Sequence, residues 1–124
     1  NAVVDSLATC KFMFFAASLE EYAAVYAAVT GVPSTAHDLM KKGEAIYYNE
    51  RIINAVNGFG AKDDDLPSRF FTENGSGGNT TPVLPIDRAA FLAARQKYYT
   101  VRGLTEDGRP MADKAASLGL EWND

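Results

Sequence analysis

Helix start and stop signals bracket most of this sequence, and they constrain its fold more than any other feature. Ser18 and Glu21 form a capping box, in which a hydroxyl and a carboxylate satisfy the free N–H groups of a first helical turn. The helix that they open is predicted to reach about Val29 and to end at Gly31. Because no stretch alternates apolar and polar residues as a strand does, the sequence predicts an all-α, irregular multi-helix domain.

Three further helices are predicted from similar signals. Their predicted bounds are about Thr35 to Asn57, Asp87 to Arg102 and Ala112 to Leu118, with Gly58, Gly103 and Gly119 as their stops. Apolar residues that recur along the helices predict their buried sides. These are Leu19, Tyr22, Tyr26 and Val29 in the first helix, Leu39, Ile46, Tyr47 and Ile53 in the second, and Phe91, Leu92, Tyr98 and Tyr99 in the third.

Gly43 lies in the middle of the second predicted helix, where it costs roughly 1 kcal/mol relative to alanine. Either another helix or backbone approaches it closely, or it is an exposed and neutral glycine. The sequence leaves both readings open.

Residues 58–86 are predicted to be irregular. Asp65 is predicted to cap a short helix that has Pro67 in its first turn. Glycines, prolines and small polar residues from Glu73 to Pro85 predict a surface loop.

The 124 residues suffice for one domain with a modest core, and residues 1–124 are predicted to form a single domain. Hydrophobic residues make up 47% and charged residues 23% of the chain, which is typical of a soluble globular protein. The formal net charge of −4 argues against nucleic acid or an anionic membrane as the main partner. No apolar run approaches the roughly 20 residues that span a bilayer.

A single cysteine, Cys10, excludes an internal disulfide, which is typical of a reduced, cytoplasmic protein. The dense aromatic stretch from Phe12 to Phe15 is unlike a solvated terminus and predicts a segment that neighbouring protein covers. The chain also begins at Asn1 and not at a methionine. We therefore expect it to be processed or to be part of a longer polypeptide.

No complete catalytic or metal site is evident. His37 is the only histidine, so a histidine-based zinc or di-iron site is excluded within the chain. The adjacent carboxylates Asp63 to Asp65 point in different directions and predict a solvated loop, not a cation site. By spacing alone, Cys10 is more often a small buried apolar residue than a metal ligand, although Lys11 beside it would favour the thiolate. No catalytic residue is assigned.

Several stretches, taken in order, resemble the aldehyde ferredoxin oxidoreductase family. Asp5 to Cys10 resembles the family's D-x-x-G-L-C signature. The other matching stretches are Glu50 to Asn54 followed by Gly58-Phe59 (E-R-x-x-N…G-F), Asp64 to Phe70 (D-D-x-L-P-x-R-F, with one residue fewer before the leucine), and Tyr98 to Gly103, Asp107 to Pro110 and Leu118 to Leu120, which resemble the family's C-terminal end.

The resemblance implies the last, mainly helical domain of a tungsten- or molybdenum-pterin enzyme that oxidises a small aldehyde to a carboxylic acid, with ferredoxin as electron acceptor. Upstream domains of the same polypeptide would complete the enzyme. The whole would hold a tungsten or molybdenum bis-pterin cofactor and a [4Fe-4S] cluster, whereas this chain alone is expected to bind neither and to be inactive. Cys10 is implied to be the fourth cluster ligand, and the Asp5 carboxylate is implied to hydrogen-bond the pterin.

Ala8 and Thr9 stand where the family signature has glycine and leucine. If that glycine needs a positive φ, alanine is strained there. One alternative is therefore a non-catalytic helical module or degenerate paralogue without cofactor. Another is an unrelated helical interaction domain whose aromatic stretch binds a partner helix. The sequence leaves open the choice of metal, the aldehyde and whether a homo-oligomer forms.

Overall fold

A computed structural model describes residues 1–75 and 83–123, apart from the side chain of Phe14. The described residues contain no β-sheet, which confirms the predicted all-α class. Isolated antiparallel bridges pair Gly75 with Val83 and Leu104 with Pro110. The predicted surface loop over 73–85 lies partly outside the described residues. The elements in chain order are α1 (Ala2–Ser6), a 3₁₀ helix (Lys11–Phe15), α2 (Leu19–Thr30), α3 (Ala36–Val56), α4 (Arg69–Thr72), α5 (Arg88–Arg102) and α6 (Ala112–Ser117).

Side-chain caps begin three of the helices at the starts that the sequence predicts. The Ser18 hydroxyl accepts from the Glu21 N–H at 3.4 Å, and the Glu21 carboxylate accepts from the Ser18 N–H at 2.7 Å. Thr35 and Asp38 form the same reciprocal pair at the start of α3, with distances of 3.2 and 2.9 Å. Asp87 caps α5 by accepting from a first-turn N–H at 2.7 Å. The helix starts therefore follow from local chemistry.

Glycines end α2 and α5 at the predicted positions. Gly31 has a φ of 72° and Gly103 a φ of 68°, so both take the left-handed conformation that closes a helix. The Gly31 N–H donates to the Ala27 carbonyl at 2.9 Å. The predicted ends of both helices are thus confirmed to within one residue.

The buried side of α3 differs from the predicted stripe. Ile46 and Ile53 are exposed, so the prediction was wrong for both. At about 100° per residue, the buried positions near the start of the helix face about 180° away from those near its end. A single stripe assumes one buried face over the whole helix, whereas α3 buries one side and then the other. The buried residues along α3 are Leu39, Gly43, Tyr48, Ile52 and Ala55.

The predicted stripes of α2 and α5 are only partly buried. Tyr22 is buried in α2, but Val29 is exposed because the core packs against the first half of that helix. In α5, Tyr99 is buried whereas Tyr98 is exposed, since adjacent residues on a helix point about 100° apart. The prediction was therefore wrong for Val29 and Tyr98.

Asp65 does not cap a helix. Helix α4 begins after Ser68, which makes no side-chain capping bond. The Asp65 carboxylate accepts from the Leu66 N–H at 2.8 Å and from two nitrogens of Arg88 at 2.6 and 3.3 Å. The capping prediction was wrong because a guanidinium 23 residues along the chain binds this carboxylate.

Gly43 is the point where α1 meets α3. A Cβ built on Gly43 would lie 2.6 Å from Cγ2 of Val3 and 3.3 Å from its backbone nitrogen. Side chains in protein cores do not pack that closely. The prediction that another helix approaches Gly43 closely is therefore confirmed, and the alternative of an exposed, neutral glycine is wrong.

The chain divides into two compact units, Asn1–Ile53 with Ala112–Asp124, and Asn54–Met111. The single domain over residues 1–124 stays a prediction. Among the described residues, no helix combines the length and apolar character that crossing a membrane requires. The core cluster of the first unit consists of Val3, Val4, Tyr22, Ala23 and Leu39, with Leu7, Ala17 and Leu19 packed against it.

Candidate functional site

The candidate site lies where α1 ends and the chain turns toward the 3₁₀ helix. The Ala8 N–H donates to the Asp5 carbonyl, and the Thr9 N–H donates to the Val4 carbonyl, both at 3.2 Å. Together these two bonds form a Schellman motif, which closes a helix C-terminus. The Thr9 hydroxyl adds a bond to the Val4 carbonyl at 3.3 Å. Asp5 and Cys10 therefore flank a turn whose backbone is held by its own hydrogen bonds.

Ala8 takes the left-handed conformation that this turn requires, with a φ of 54°. The Cβ of a non-glycine residue makes that conformation unfavourable by about 1–2 kcal/mol. The family signature has glycine at this position. The positive φ of Ala8 confirms the strain that was expected for alanine there. The turn nevertheless forms with alanine in place.

The Asp5 side chain is exposed on the last turn of α1. Within the described part of the chain its carboxylate makes no hydrogen bond or ion pair. A carboxylate has two acceptor oxygens and therefore suits a ligand that presents adjacent N–H groups. Both carboxylate oxygens of Asp5 are available to accept from such a ligand.

Cys10 is an exposed free thiol. Its backbone is extended, with φ −65° and ψ 124°, and its carbonyl accepts from the Met13 N–H at 3.0 Å as the 3₁₀ helix begins. The reading of Cys10 as a small buried apolar residue is therefore wrong. Among the residues described, no group of three or more histidine, cysteine or acidic side chains could hold a metal ion. Cys10 thus offers one sulfur ligand and not a complete site.

The turn is attached to the core of the first unit. Val4, whose carbonyl accepts the bonds that close the turn, is fully buried, and Val3 is buried against Gly43. A site is most precise when its supporting residues are locked by packing. The positions of Asp5 and Cys10 along the turn are consequently set by α1 and its contact with α3.

The 3₁₀ helix after Cys10 leaves large apolar side chains in solvent. Phe12 is 74%, Met13 49% and Phe15 88% exposed. The Phe12 and Phe15 rings are stacked, with centroids 6.2 Å apart and planes 18° from parallel. We call these three residues the aromatic patch. Contiguous exposed apolar residues of this kind mark interaction surfaces.

Internal hydrogen bonds occupy the acidic run Asp63–Asp65 in the second unit. Asp63 accepts from the Gly60 N–H at 2.9 Å, and Asp64 accepts from the Tyr99 hydroxyl at 2.6 Å. The Arg88 guanidinium holds the pKa of the Asp65 carboxyl below its usual value, mainly through their hydrogen bond, and Asp65 in turn raises the pKa of Arg88. Each of the three carboxylates thus accepts at least one hydrogen bond from within the second unit.

Three arginines of α5 were missed by the sequence reasoning. Arg95 donates through Nη1 to the carbonyls of Ala61 at 2.7 Å and Asp64 at 2.8 Å, which fixes the loop that precedes α4. Arg88, Arg95 and Arg102 recur every seven residues and so lie along one side of the helix. Each guanidinium also lies over an aromatic ring, at 4.7, 5.9 and 5.5 Å respectively. The seven-residue spacing was the signal that could have revealed them.

The second unit also contains an open concavity of about 250 Å³, lined by residues 58–62, Asp107 and Arg109. Its lining includes neither Asp5 nor Cys10. The turn at the end of α1 therefore remains the candidate site.

Comparison with known proteins gives matches over nearly the whole chain. The family model described as aldehyde ferredoxin oxidoreductase, domains 2 and 3, matches residues 1–120. Tungsten-containing aldehyde ferredoxin oxidoreductases of Thermococcus kodakarensis and Pyrococcus horikoshii are each 34% identical to it, over 97% and 98% of this chain. The corresponding protein of Pyrococcus furiosus is 33% identical over 97% of this chain.

The chain spans 19% of the length of each of these relatives. An unrelated helical interaction domain would not match the family from residue 1 to residue 120, so that alternative is wrong. This chain belongs to the aldehyde ferredoxin oxidoreductase family.

Proposed function

We propose that this chain is the C-terminal helical part of a tungsten- or molybdenum-pterin oxidoreductase that oxidises an aldehyde to a carboxylic acid with ferredoxin as electron acceptor. The observation that carries the proposal is the turn from Asp5 to Cys10 in a chain of this family. This turn presents a free thiol and a carboxylate that has no partner among the described residues. The upstream domains of the same polypeptide would supply the rest of the cofactor site.

In this proposal, Cys10 supplies the fourth thiolate of a [4Fe-4S] cluster. Cubane clusters are held by four cysteine thiolates, and the exposed thiol of Cys10 is accessible to a cluster held by another part of the polypeptide. The hydrogen-bonded turn fixes the backbone from which the thiol projects, so little conformational freedom remains to be lost on ligation.

In the same proposal, Asp5 would accept hydrogen bonds from the N–H groups of the pterin. Its carboxylate is exposed and has no hydrogen-bonding partner among the described residues, so binding a pterin would break no bond that this chain makes. Charge-assisted bonds to a carboxylate are about twice as strong as neutral ones. Asp5 would therefore orient the pterin from the same turn that carries Cys10.

The metal–pterin group, when bound, supplies the oxidation chemistry that protein side chains lack. The contribution of this chain is to bind and orient, through the Cys10 thiolate and the Asp5 carboxylate. Accordingly, the 124-residue chain alone is expected to be inactive. Aldehyde oxidation by the purified chain, without added metal or other domains, would contradict the proposal.

The ligand role of Cys10 is tested in the complete polypeptide of which this chain is part. Iron and acid-labile sulfide are measured after anaerobic purification of the parent protein, Cys10→Ala and, as a neighbouring control, Lys11→Ala. We expect about four irons and four sulfides in the parent and in Lys11→Ala, and loss of the intact cluster in Cys10→Ala. A complete four-iron cluster in Cys10→Ala would exclude the ligand role.

The role of Asp5 is tested by Asp5→Asn, which keeps the size of the side chain but removes its charge. We expect the tungsten or molybdenum and pterin content to fall while the iron content stays at the parental level. Unchanged pterin content would show that Asp5 does not hold the cofactor.

The alternative is a degenerate member of the family that no longer binds cofactor, and Ala8 and Thr9 favour it because they depart from the signature. The left-handed φ of Ala8 counts against it, since the turn is kept despite the substitution. A complete polypeptide that contains neither iron nor tungsten nor molybdenum would establish this alternative.

A further inference from the structure

The aromatic patch is presented by a backbone that is already ordered. The Met13 carbonyl accepts from the N–H groups of Ala16 at 2.9 Å and Ala17 at 2.8 Å, and the Cys10 carbonyl accepts from the Met13 N–H. The rings of Phe12 and Phe15 are stacked on each other while most of their surface stays in solvent. The patch is therefore preformed, and a partner could bury it without reordering the chain.

Its distance from Cys10 limits what can cover it. Two residues of extended chain span at most about 7 Å, so the backbone of Phe12 lies within that distance of Cys10. A thiolate that ligates iron held by another domain brings that domain to the cysteine itself. The residues directly after Cys10 then lie at the same interface.

We propose that Phe12, Met13 and Phe15 dock against the part of the same polypeptide that holds the other three cluster ligands. This inference rests on the proposed function and specifies the interface that it requires. The occupant is a part of the same polypeptide because this chain spans 19% of its relatives' length, which leaves most of such a protein to cover the patch. The patch begins two residues after the proposed ligand. It is apolar, as the buried centre of an interface is.

The test uses two methionines of similar exposure. Met13 is 49% exposed in the patch, and Met40 is 54% exposed on α3. A microsecond pulse of hydroxyl radicals labels accessible side chains of the anaerobically purified complete polypeptide, and mass spectrometry measures the oxidation of each methionine relative to the denatured polypeptide. We expect the oxidation of Met13 to fall about tenfold or more, because the centre of an interface excludes water. Met40, which is similarly exposed in this chain, is the comparison methionine outside the patch.

A matched pair of double variants tests which residues form the interface. Phe12→Ser with Phe15→Ser should raise the oxidation of Met13 several-fold. Val25→Ser with Val29→Ser, which changes two exposed apolar residues of α2, should leave the oxidation of Met13 unchanged. Equal effects of the two pairs would overturn the assignment of the interface to the patch.

Two results of the labelling would overturn the proposal. One is oxidation of Met13 near the yield of the denatured polypeptide. The other is protection of Met13 that disappears on dilution, which would show that a second copy of the protein covers the patch. The iron content of Cys10→Ala, measured separately, distinguishes the two proposals. An intact cluster in that variant would reject the ligand role together with the docking partner inferred from it. Loss of the cluster in that variant, with Met13 freely oxidised in the parent, would reject the docking surface and leave the ligand role standing.

Discussion

Val3 and Gly43 lie so close that a Cβ on Gly43 would be 2.6 Å from Cγ2 of Val3. This contact holds α1, which carries Asp5, against the middle of α3. The glycine is unfavourable in a helix by about 1 kcal/mol relative to alanine, and the close packing accounts for its presence. The position of the candidate site in the first unit therefore depends on the lack of a Cβ at Gly43, which lets α1 approach α3 closely.

Gly43→Ala is expected to destabilise the chain by about 1 kcal/mol. Overpacking costs about 1–3 kcal/mol, and the better helix propensity of alanine offsets about 1 kcal/mol of that loss. Urea unfolding followed by circular dichroism measures the change. In a Val3→Ala background, which removes the Cγ2 atom, the same substitution should no longer lower stability. If Gly43→Ala is as stable as the parent with Val3 in place, the contact between α1 and α3 is not as tight as described.

Ala8→Gly is expected to stabilise the chain by about 1 kcal/mol. Glycine adopts the left-handed φ of residue 8 without the Cβ penalty, which exceeds the extra entropy that glycine loses on folding. Thermal unfolding should show a higher melting temperature. The matched control is Ala24→Gly, at an exposed position within α2, which should lose about 1 kcal/mol. Substitutions that change stability in the same direction would contradict the left-handed conformation of Ala8.

The Cys10 thiol should react with a disulfide reagent in the folded chain almost as fast as in urea, because it is exposed. Release of the coloured thiol product measures the rate. Cys10→Ala should change the free energy of unfolding by less than about 0.5 kcal/mol, since substitutions at exposed positions have small effects. A thiol that reacts only after unfolding would show that Cys10 is buried and unavailable to a cluster.

The stability of the second unit should depend on pH through Asp65. Arg88 lowers the pKa of Asp65 below its ordinary value of 3.8 in the folded chain, so the pair stabilises the fold above that pH. The contribution is lost as the pH falls from about 4 through the lower pKa of the folded state, where the carboxylate takes up a proton. Stability measured in buffers across this range should therefore fall more steeply for the parent chain than for Asp65→Asn.

Arg88→Gln provides the control for this pH dependence. Arg88→Gln should flatten the same part of the stability curve less than Asp65→Asn does, because the Leu66 N–H still donates to the Asp65 carboxylate. The double variant should match Asp65→Asn. The difference should also shrink in high salt, because the pair is at the surface. Equal slopes for the parent chain and both variants would mean that the ion pair contributes nothing to folding.

Local signals determined most of the secondary structure. Helix starts are marked by side chains that bond to neighbouring N–H groups, as Ser18 and Glu21 do together and Asp87 does alone. Helix ends are marked by glycines that take a positive φ, namely Gly31 and Gly103. Each of these interactions joins residues within a few positions of one another. For that reason the helix bounds could be predicted without knowledge of any distant contact.

The ordered stretches from Asp5 to Leu120 likewise identified the family and the two candidate site residues. By itself the sequence placed Asp5 and Cys10 five residues apart, but it did not decide whether Ala8 would preserve the turn between them. The structure answers this with a positive φ at Ala8 and the bonds from Thr9 to Val4. The residue types alone did not decide this outcome, because glycine would adopt the same φ more readily than alanine does.

Only the tertiary structure decided which faces are buried and which distant residues meet. Helix α3 buries opposite sides along its length, so Ile53 is exposed although its spacing from Leu39 suggested a shared face. Asp65 binds Arg88 from 23 residues away, where local chemistry favoured a cap. The sequence determined the elements because short-range hydrogen bonds create them. The fold decided their burial and pairing because those depend on what each element packs against.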